Sequence, residues 1–509
     1  MLSSTQLDSN ARAPPPFDGQ KYADIIISTS DHVDFHLVKA ILSISSPFFE
    51  DMFSLVQPPK AIPRSLDRVD VSEDSTTFEN LVRLCYPVKQ TKIQDFALLE
   101  KVLEAAMKYQ MEVVTDLLKD TLRGFVDKKP LQCYAVACRL QLEEEASLAA
   151  KTWKTSATTL DDSSDSFAST VAGGSYVLEM STTSSAAYFR LLQYLGGSAV
   201  HNFTSPPIRY TRFADMPKLP SRSSLGADCQ LRSLDGEYFP AHSVVLRLAQ
   251  AGNLIGNATL DDAVDGNLPE IPVNLNSNSL RAVLNFCYPL SSFIDPPSLN
   301  DLVSVVEASK LLHMEDVEAA AKQQLVAHTS DKPLTVYLLA GLYGWAREAE
   351  EAARQVVADG AHNTYVPEME EVPAYVYRAL LKFRHMAAAT VKEVISTHAP
   401  NTSVSKLMPD GCGHPRFATI ALTLVEKQFK TSRTQSERRC QGCSTYYSSL
   451  FGDCPYCQRT TESKIPAVLK ESAEMEAEIL DAFDRLKLDL TVAPLPRRSK
   501  KGGPKPAHR

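Results

Sequence analysis

The stretch "ADIIISTSDHVDFHLVKAILSISSPFFEDMF", residues 23–53, decides how this chain is read. A β-branched run from Asp24 to Thr29 gives way to a turn and to a second extended edge around Val33 and Phe35. Leu37, Ile41, Leu42, Ile44 and Phe48 then recur at helical spacing, which predicts an apolar helix that Pro47 ends or bends. Downstream, "RSLDRVDVS" (64–72) predicts a further strand, and "STTFENLVRLCYP" (75–87) a helix. In that helix Phe78, Leu81, Val82, Cys85 and Tyr86 make one apolar stripe, Ser75 is placed to cap it and Pro87 to stop it. Two short amphipathic helices follow, with Leu99, Val102, Ala106 and Tyr109 facing Val114, Leu117, Leu118 and Leu122. The expected unit is a small mixed core, a few strands edged by helices.

The unit is written twice. "ADIIIST" (23–29) returns as "ADCQLRS" (227–233), so that Asp24 and Asp228 are 204 residues apart, as are Leu42 and Leu246. "ENLVRLCYP" returns within "RAVLNFCYPLSS" (281–292), placing Cys85 and Cys287 at an offset of 202. "EAAMKYQMEVV" (104–114) matches "EASKLLHMEDV" (307–317), and "DKKPLQCYAVACRLQ" (127–141) matches "SDKPLTVYLLAGLYG" (330–344), both at 203. An offset held over more than a hundred residues is duplication rather than chance. Cys85-Tyr86-Pro87 and Cys287-Tyr288-Pro289 are therefore marks of a repeated helix, not nucleophiles or metal ligands.

The order of an Asp-led aliphatic run, Phe35, Lys39 and Leu42, then Ser46-Pro47-Phe48-Phe49, then the helix ending in Tyr86, resembles the BTB (POZ) domain. The resemblance covers roughly 17–125 and, more loosely, 224–328. It implies a cluster of helices flanked by a short sheet, and a protein-binding role, either pairing with another BTB domain or presenting targets to a cullin-type ubiquitin ligase. It also implies an interaction surface that includes Asp24, Lys39, Phe48 and Phe49, with Asp24 and Lys39 preserving a charged pocket used in family dimers. The plainer reading of that pair is a capping carboxylate and a solvated lysine. The second copy has His242-Ser243 where the first has Val38-Lys39, and "AQAGNLIGN" where the first has "SSPFFEDMF", so Asp228 lacks a lysine beside it. His242 reads as a satisfied core or rim histidine. These complementary departures predict either self-association or pairing of the two copies within one chain.

Each copy leads into a helical extension, "KPLQCYAVACRLQLEEEASLAAKTW" and "KPLTVYLLAGLYGWAREAEEAARQVV", opened by a proline at the first helical position. The stripe Tyr337, Leu338, Leu342 and Trp345 needs a partner, most simply the helix pair before it. "SAAYFRLLQYL" (185–195) and "VPAYVYRALLKFR" (372–384) repeat one more helix.

The C-terminal part has different chemistry. Cys440, Cys443, Cys454 and Cys457 form Cys-x2-Cys-x10-Cys-x2-Cys, which predicts four tetrahedral thiolates on a structural Zn2+, with free or redox thiols as the alternative. Four thiolates leave zinc no open position for catalysis, and four clustered cysteines are too few for a RING-type ligase. Cys412 and His414 are either a further ligand pair or a tight turn. Leu469, Met475 or Ala473, Ile479, Ala482, Phe483 and Leu486 share one helical face, to pack on the knuckle or dock on a partner. The basic tail reads as a nuclear address or as a solvated tail.

Composition sets the remaining bounds. Across 509 residues, 44% are hydrophobic and 22% charged, with a net charge of -8, values that fit a globular protein and give no basic footprint for nucleic acid. No apolar stretch reaches membrane-spanning length and no leader is apparent, which predicts a cytoplasmic or nuclear protein with no membrane partner. No phosphate loop, Gly-x-Ser-x-Gly or His-Glu-x-x-His occurs, so no catalytic residues are assigned and an enzyme is not expected.

The expected fold is α+β and mostly helical: two BTB/POZ-like domains, each with a helical extension, and a small zinc-ribbon-like element. In residue ranges, 1–16 is a disordered N-terminus, 17–125 the first BTB-like domain and 126–204 its extension. A Pro/Ser-rich linker, 205–223, precedes the divergent second domain at 224–328 and its extension at 329–398. Residues 412–490 hold the knuckle and an amphipathic helix, and 491–509 the tail. The expected function is a non-enzymatic scaffold or adaptor working through BTB pairing, with a cullin ligase as candidate partner; the alternative is a nuclear, transcription-related regulator.

Overall fold

The computed structural model describes residues 10–19, 21–55, 66–90, 92–158, 176–204, 226–256, 268–288, 297–398 and 477–490. Two units emerge, one built from 1–170, 174–183 and 187–205, the other from 171–173, 184–186 and 206–509. The expected linker at 205–223, and Cys412, His414, Cys440, Cys443, Cys454 and Cys457, lie outside the described residues.

In the first unit β1 (Ala11–Arg12), β2 (Ile25–Ser28), β3 (Val33–Leu37) and β4 (Asp67–Asp70) form one sheet in the order β1-β3-β2-β4. β2 and β3 run antiparallel with Ile27 opposite Phe35, and β4 runs parallel to β2 with Val69 opposite Ile27. Of the N-terminus expected to be disordered, 10–16 carries β1, and 1–9 lies outside the described residues. Ala11 and Ala13 donate backbone N–H bonds to the carbonyls of His32 and Asp34 (3.0 and 2.9 Å), adding a parallel edge to β3.

The apolar helical run across 37–53, expected to end or bend at Pro47, is divided there into α1 (Lys39–Ser45) and α2 (Pro47–Ser54). Leu37 ends β3 instead of starting α1. Ser46 is extended (φ -154°), as a residue before proline prefers, and its Oγ accepts the Phe49 N–H at 3.1 Å, so it caps α2 while Pro47 fills the first turn. α3 (Ser75–Cys85) is capped by Asp74, which accepts the Thr77 N–H at 2.8 Å, and not by Ser75. Ser75 instead offers its N–H (2.9 Å) and hydroxyl (2.6 Å) to Asp31, tying the helix start to the β2–β3 turn. α4 (Phe96–Lys108) and α5 (Glu112–Arg123) pack as expected through Leu99, Val102, Ala106, Val114, Leu118 and Leu122, but Leu117 faces solvent. Phe17, Phe35, Phe78 and Tyr86 fill the centre, with edge-on ring pairs at 5.2 and 5.3 Å. The extension adds α6 (Pro130–Arg139), α7 (Glu143–Thr158) and α8 (Ser185–Leu195), and the buried Tyr134 hydroxyl donates to the Ala187 carbonyl at 2.8 Å.

In the second unit β5 (Cys229–Arg232), β6 (Tyr238–Ala241) and β7 (Glu270–Pro272) form a sheet in the order β6-β5-β7. Leu231 lies opposite Phe239 on the antiparallel side and Ile271 on the parallel side, the senses and register of Ile27 in the first sheet. α9 (Ser243–Leu248), α10 (Ser277–Cys287), α11 (Leu299–Leu311) and α12 (Glu315–Ala327) follow, and a short 3-10 turn, Gly252–Leu254, comes after α9 where α2 follows α1 in the first unit. The extension is α13 (Pro333–Tyr343), α14 (Ala346–Asp359) and α15 (Ala374–His398). α13 is buried along most of its circumference rather than along the expected stripe, and Leu342 of that stripe is only half-buried. Gly341 explains how closely α15 approaches: a Cβ there would meet Val376 Cγ1 at 2.5 Å. Among the described residues no helix is long and apolar enough to cross a membrane.

Candidate protein-interaction face

The start of α1 is held by two side chains from elsewhere in the sequence. Asp24 accepts the Lys39 N–H at 2.7 Å, and the Tyr86 hydroxyl accepts the Val38 N–H at 2.8 Å. Both amides belong to the opening of a helix, where no intrahelical acceptor exists for them. The Lys39 ammonium pairs with Asp67 and lies 5.5 Å from the centre of the Phe53 ring. Asp24 and Lys39 therefore meet through the lysine backbone, and Asp24 acts as the capping carboxylate; the lysine charge is answered by β4.

Tyr86 is the residue that joins the end of α3 to α1, which gives the repeated Cys-Tyr-Pro its physical role. Burial pushes the Tyr86 hydroxyl up to about 12, so it stays protonated at neutral pH. Burial likewise pushes Cys85 up to about 11, and Cys133 and Cys229 up to about 12, so none of these is a thiolate at neutral pH. The five cysteines of the described residues are not joined in disulfides, and among those residues no three His, Cys, Asp or Glu side chains gather as a metal site.

The second unit repeats the frame. Asp228 accepts the Ser243 N–H at 2.7 Å and its hydroxyl, and Tyr288 accepts the His242 N–H at 2.9 Å. His242 also sets its Nδ1 3.0 Å from the same tyrosine oxygen, so it is a satisfied rim histidine. Asp235 takes the Ser277 N–H and hydroxyl as Asp31 takes those of Ser75.

Of the four residues proposed as an interaction surface, Phe49 is removed by the structure. It is 1% exposed, stacked on Tyr109 at 5.0 Å, and belongs to the core. Phe48 is partly exposed, with its ring 5.4 Å from Tyr109. The apolar side chain that α1 does present to water is Ile44, 88% exposed, with Tyr22 also exposed (77%) in the same unit. In α9 the position 204 residues on is Leu248, 79% exposed. Counting from Leu37 placed Ile44 on the buried stripe, but Leu37 ends β3, and α1, which starts at Lys39, turns Leu42 inward and Ile44 to solvent. The signal that could have found it is the repeat itself: an apolar residue at the same position of both copies, one after each helix has made its buried contact through Leu42 or Leu246.

Residues 15–125 match the family model of the BTB/POZ domain. That stretch is a BTB/POZ domain, a protein–protein interaction module of a family that binds partner proteins and dimerises. No curated protein matches the chain.

Proposed function

We infer that the chain is a non-enzymatic scaffold or adaptor whose BTB/POZ domain engages another protein, and that residues 224–328 form a second, divergent BTB-like module. The observation that carries the second module is the repeated frame: the Asp24, Val38, Lys39 and Tyr86 contacts recur as Asp228, His242, Ser243 and Tyr288. A cullin-type ubiquitin ligase is the partner class to test. Pull-down of the full chain with a cullin should succeed and should weaken with Ile44→Asp, a change at a fully solvated site that leaves the fold intact. Absence of binding by a folded wild-type chain removes the ligase part of the reading. Light scattering on the full chain measures self-association.

The Cys-x2-Cys pair of pairs supports a structural zinc held by Cys440, Cys443, Cys454 and Cys457. One equivalent of zinc per chain, lost in Cys440→Ser, is the expected metal analysis. With the basic tail the same motif favours a second reading, a nuclear, transcription-related regulator; deletion of 496–509 with unchanged localisation overturns it.

A further inference from the structure

Residues 477–490 are seated on α14 and α15 of the second unit, with 477–484 helical. Two side chains anchor them. Ile479 and Phe483 are buried, at 1% and 6% exposure, and the Phe483 ring centre lies 5.8 Å from that of Phe383 on α15. The helix end is read by one residue, Arg354 of α14. Its Nη1 donates to the Phe483 carbonyl (3.0 Å) and its Nη2 to those of Asp484 (3.1 Å) and Leu486 (2.9 Å), with the guanidinium 5.7 Å from the Phe483 ring centre. Glu350 orients Arg354 through a 2.8 Å bond and accepts the Leu488 N–H at 3.4 Å.

This is how a groove recognises a short helix rather than how a core is filled. The last carbonyls of a helix have no partner within it and carry its negative end, which a guanidinium satisfies by both hydrogen bonding and charge. A single amphipathic helix draws most of its stability from packing, so ordering the segment on seating offsets much of what two buried side chains contribute. Contact is thus specific and reversible. Tethering in one chain compensates, because an intramolecular ligand acts at a raised effective concentration.

We propose that the face of α14 and α15 around Arg354 is a releasable recognition groove for a short amphipathic helix of Ile-x3-Phe pattern, and that residues 477–490 of the same chain occupy and mask it. The proposal is independent of the BTB-based reading. Its test uses the full chain and a fluorescent synthetic peptide of residues 475–490, followed by anisotropy. Wild type should bind the probe weakly. Phe483→Ala and, separately, Ile479→Ala should release the resident segment and bind the probe about tenfold more tightly, since the cis competitor is gone. Arg354→Ala added to either should abolish that gain, and Arg354→Lys should restore little of it, because lysine cannot present a fork to several carbonyls. Folded release variants that bind no better than wild type overturn the proposal, as does loss of the helical circular dichroism signal in both, which would make the segment an integral part of the core. A wild-type dimer that the probe dissociates would place the occupant on a second copy and overturn the assignment to the same chain.

Discussion

The two copies of the frame differ most where α2 stands. In the first, Ser46 donates to the Tyr109 carbonyl at 2.5 Å, and Phe48, Phe49 and Phe53 pack beneath. In the second, a 3-10 turn replaces that helix, and Asn253 donates to the carbonyls of Leu312 and His313 at 2.9 and 3.0 Å. Tyr109 and Leu312 are the same corner, 203 residues apart, and each is followed by a residue in the left-handed region, Gln110 and His313, both at φ 54°. The second frame keeps the polar joints of the first and has a different apolar filling. Buried backbone groups must find partners whatever surrounds them, whereas apolar volume can be filled in several ways.

The largest test of that contrast is Phe49→Ala. Emptying a stacked core site should cost about 3–5 kcal/mol in chemical denaturation, against about 1 kcal/mol for Asn253→Ala, which removes hydrogen bonds at a partly exposed turn. Similar costs would break the distinction between filling and joint. Next, Gly341→Ala should destabilise the second unit by about 1–3 kcal/mol, because the added methyl meets Val376. In the first unit the corresponding positions hold Cys138 and Ala187, the larger and smaller residues exchanged between the two helices, so Cys138→Gly should leave space there instead of relieving a clash.

Tyr86→Phe and Tyr288→Phe should each cost about 1 kcal/mol through loss of an acceptor for a helix-opening N–H. Markedly unequal costs would mean the two tyrosines are not doing the same job. A smaller effect concerns acid. Burial alone would raise the Asp228 carboxyl, but the Ser243 hydroxyl and N–H outweigh it and hold it below its ordinary 3.8. A lowered folded-state value means that this contribution is present above pH 3.8 and is lost as pH falls through the lower, folded-state value. Ser243→Ala should shrink it and shift acid unfolding of the second unit upward by a fraction of a pH unit. The least effect is expected from Lys39→Met, below about 1 kcal/mol, because its ion pair with Asp67 is part-exposed.

Much of the fold was legible because it is carried by short-range patterns. A β-branched run and the extended stretches after it marked β2, β3 and β4, and helical spacing marked α3, α4 and α5 with most of their buried residues. Where the reading failed, a contact distant in sequence had intervened. Ser75 caps nothing because Asp31, 44 residues away, takes both its N–H and its hydroxyl and Asp74 is left to cap. Leu117 stands three residues after Val114, a helical spacing, yet it is exposed while Leu118 and Leu122 are buried. Of the residues expected on an interaction surface, Asp24 caps α1, Lys39 pairs with Asp67 and Phe49 is core, while Ile44 is exposed, since exposure depends on which side of a helix meets the sheet. The sequence showed at most the i,i+4 pair of Glu350 with Arg354, because the carbonyls of Phe483, Asp484 and Leu486 that Arg354 bonds lie about 130 residues further on, and carbonyls have no letter in a sequence.

By itself, then, the sequence determined the recurring motifs at a fixed offset, the strand candidates and the apolar stripes of the helices, because each is a matter of residue type at a fixed spacing. Only the tertiary structure decided that Lys39 answers Asp67, that Phe49 is core and Ile44 surface, and that residues 477–490 sit on Arg354. Those outcomes depend on which faces are brought together in space, and periodicity along one chain segment specifies a face without specifying what lies against it.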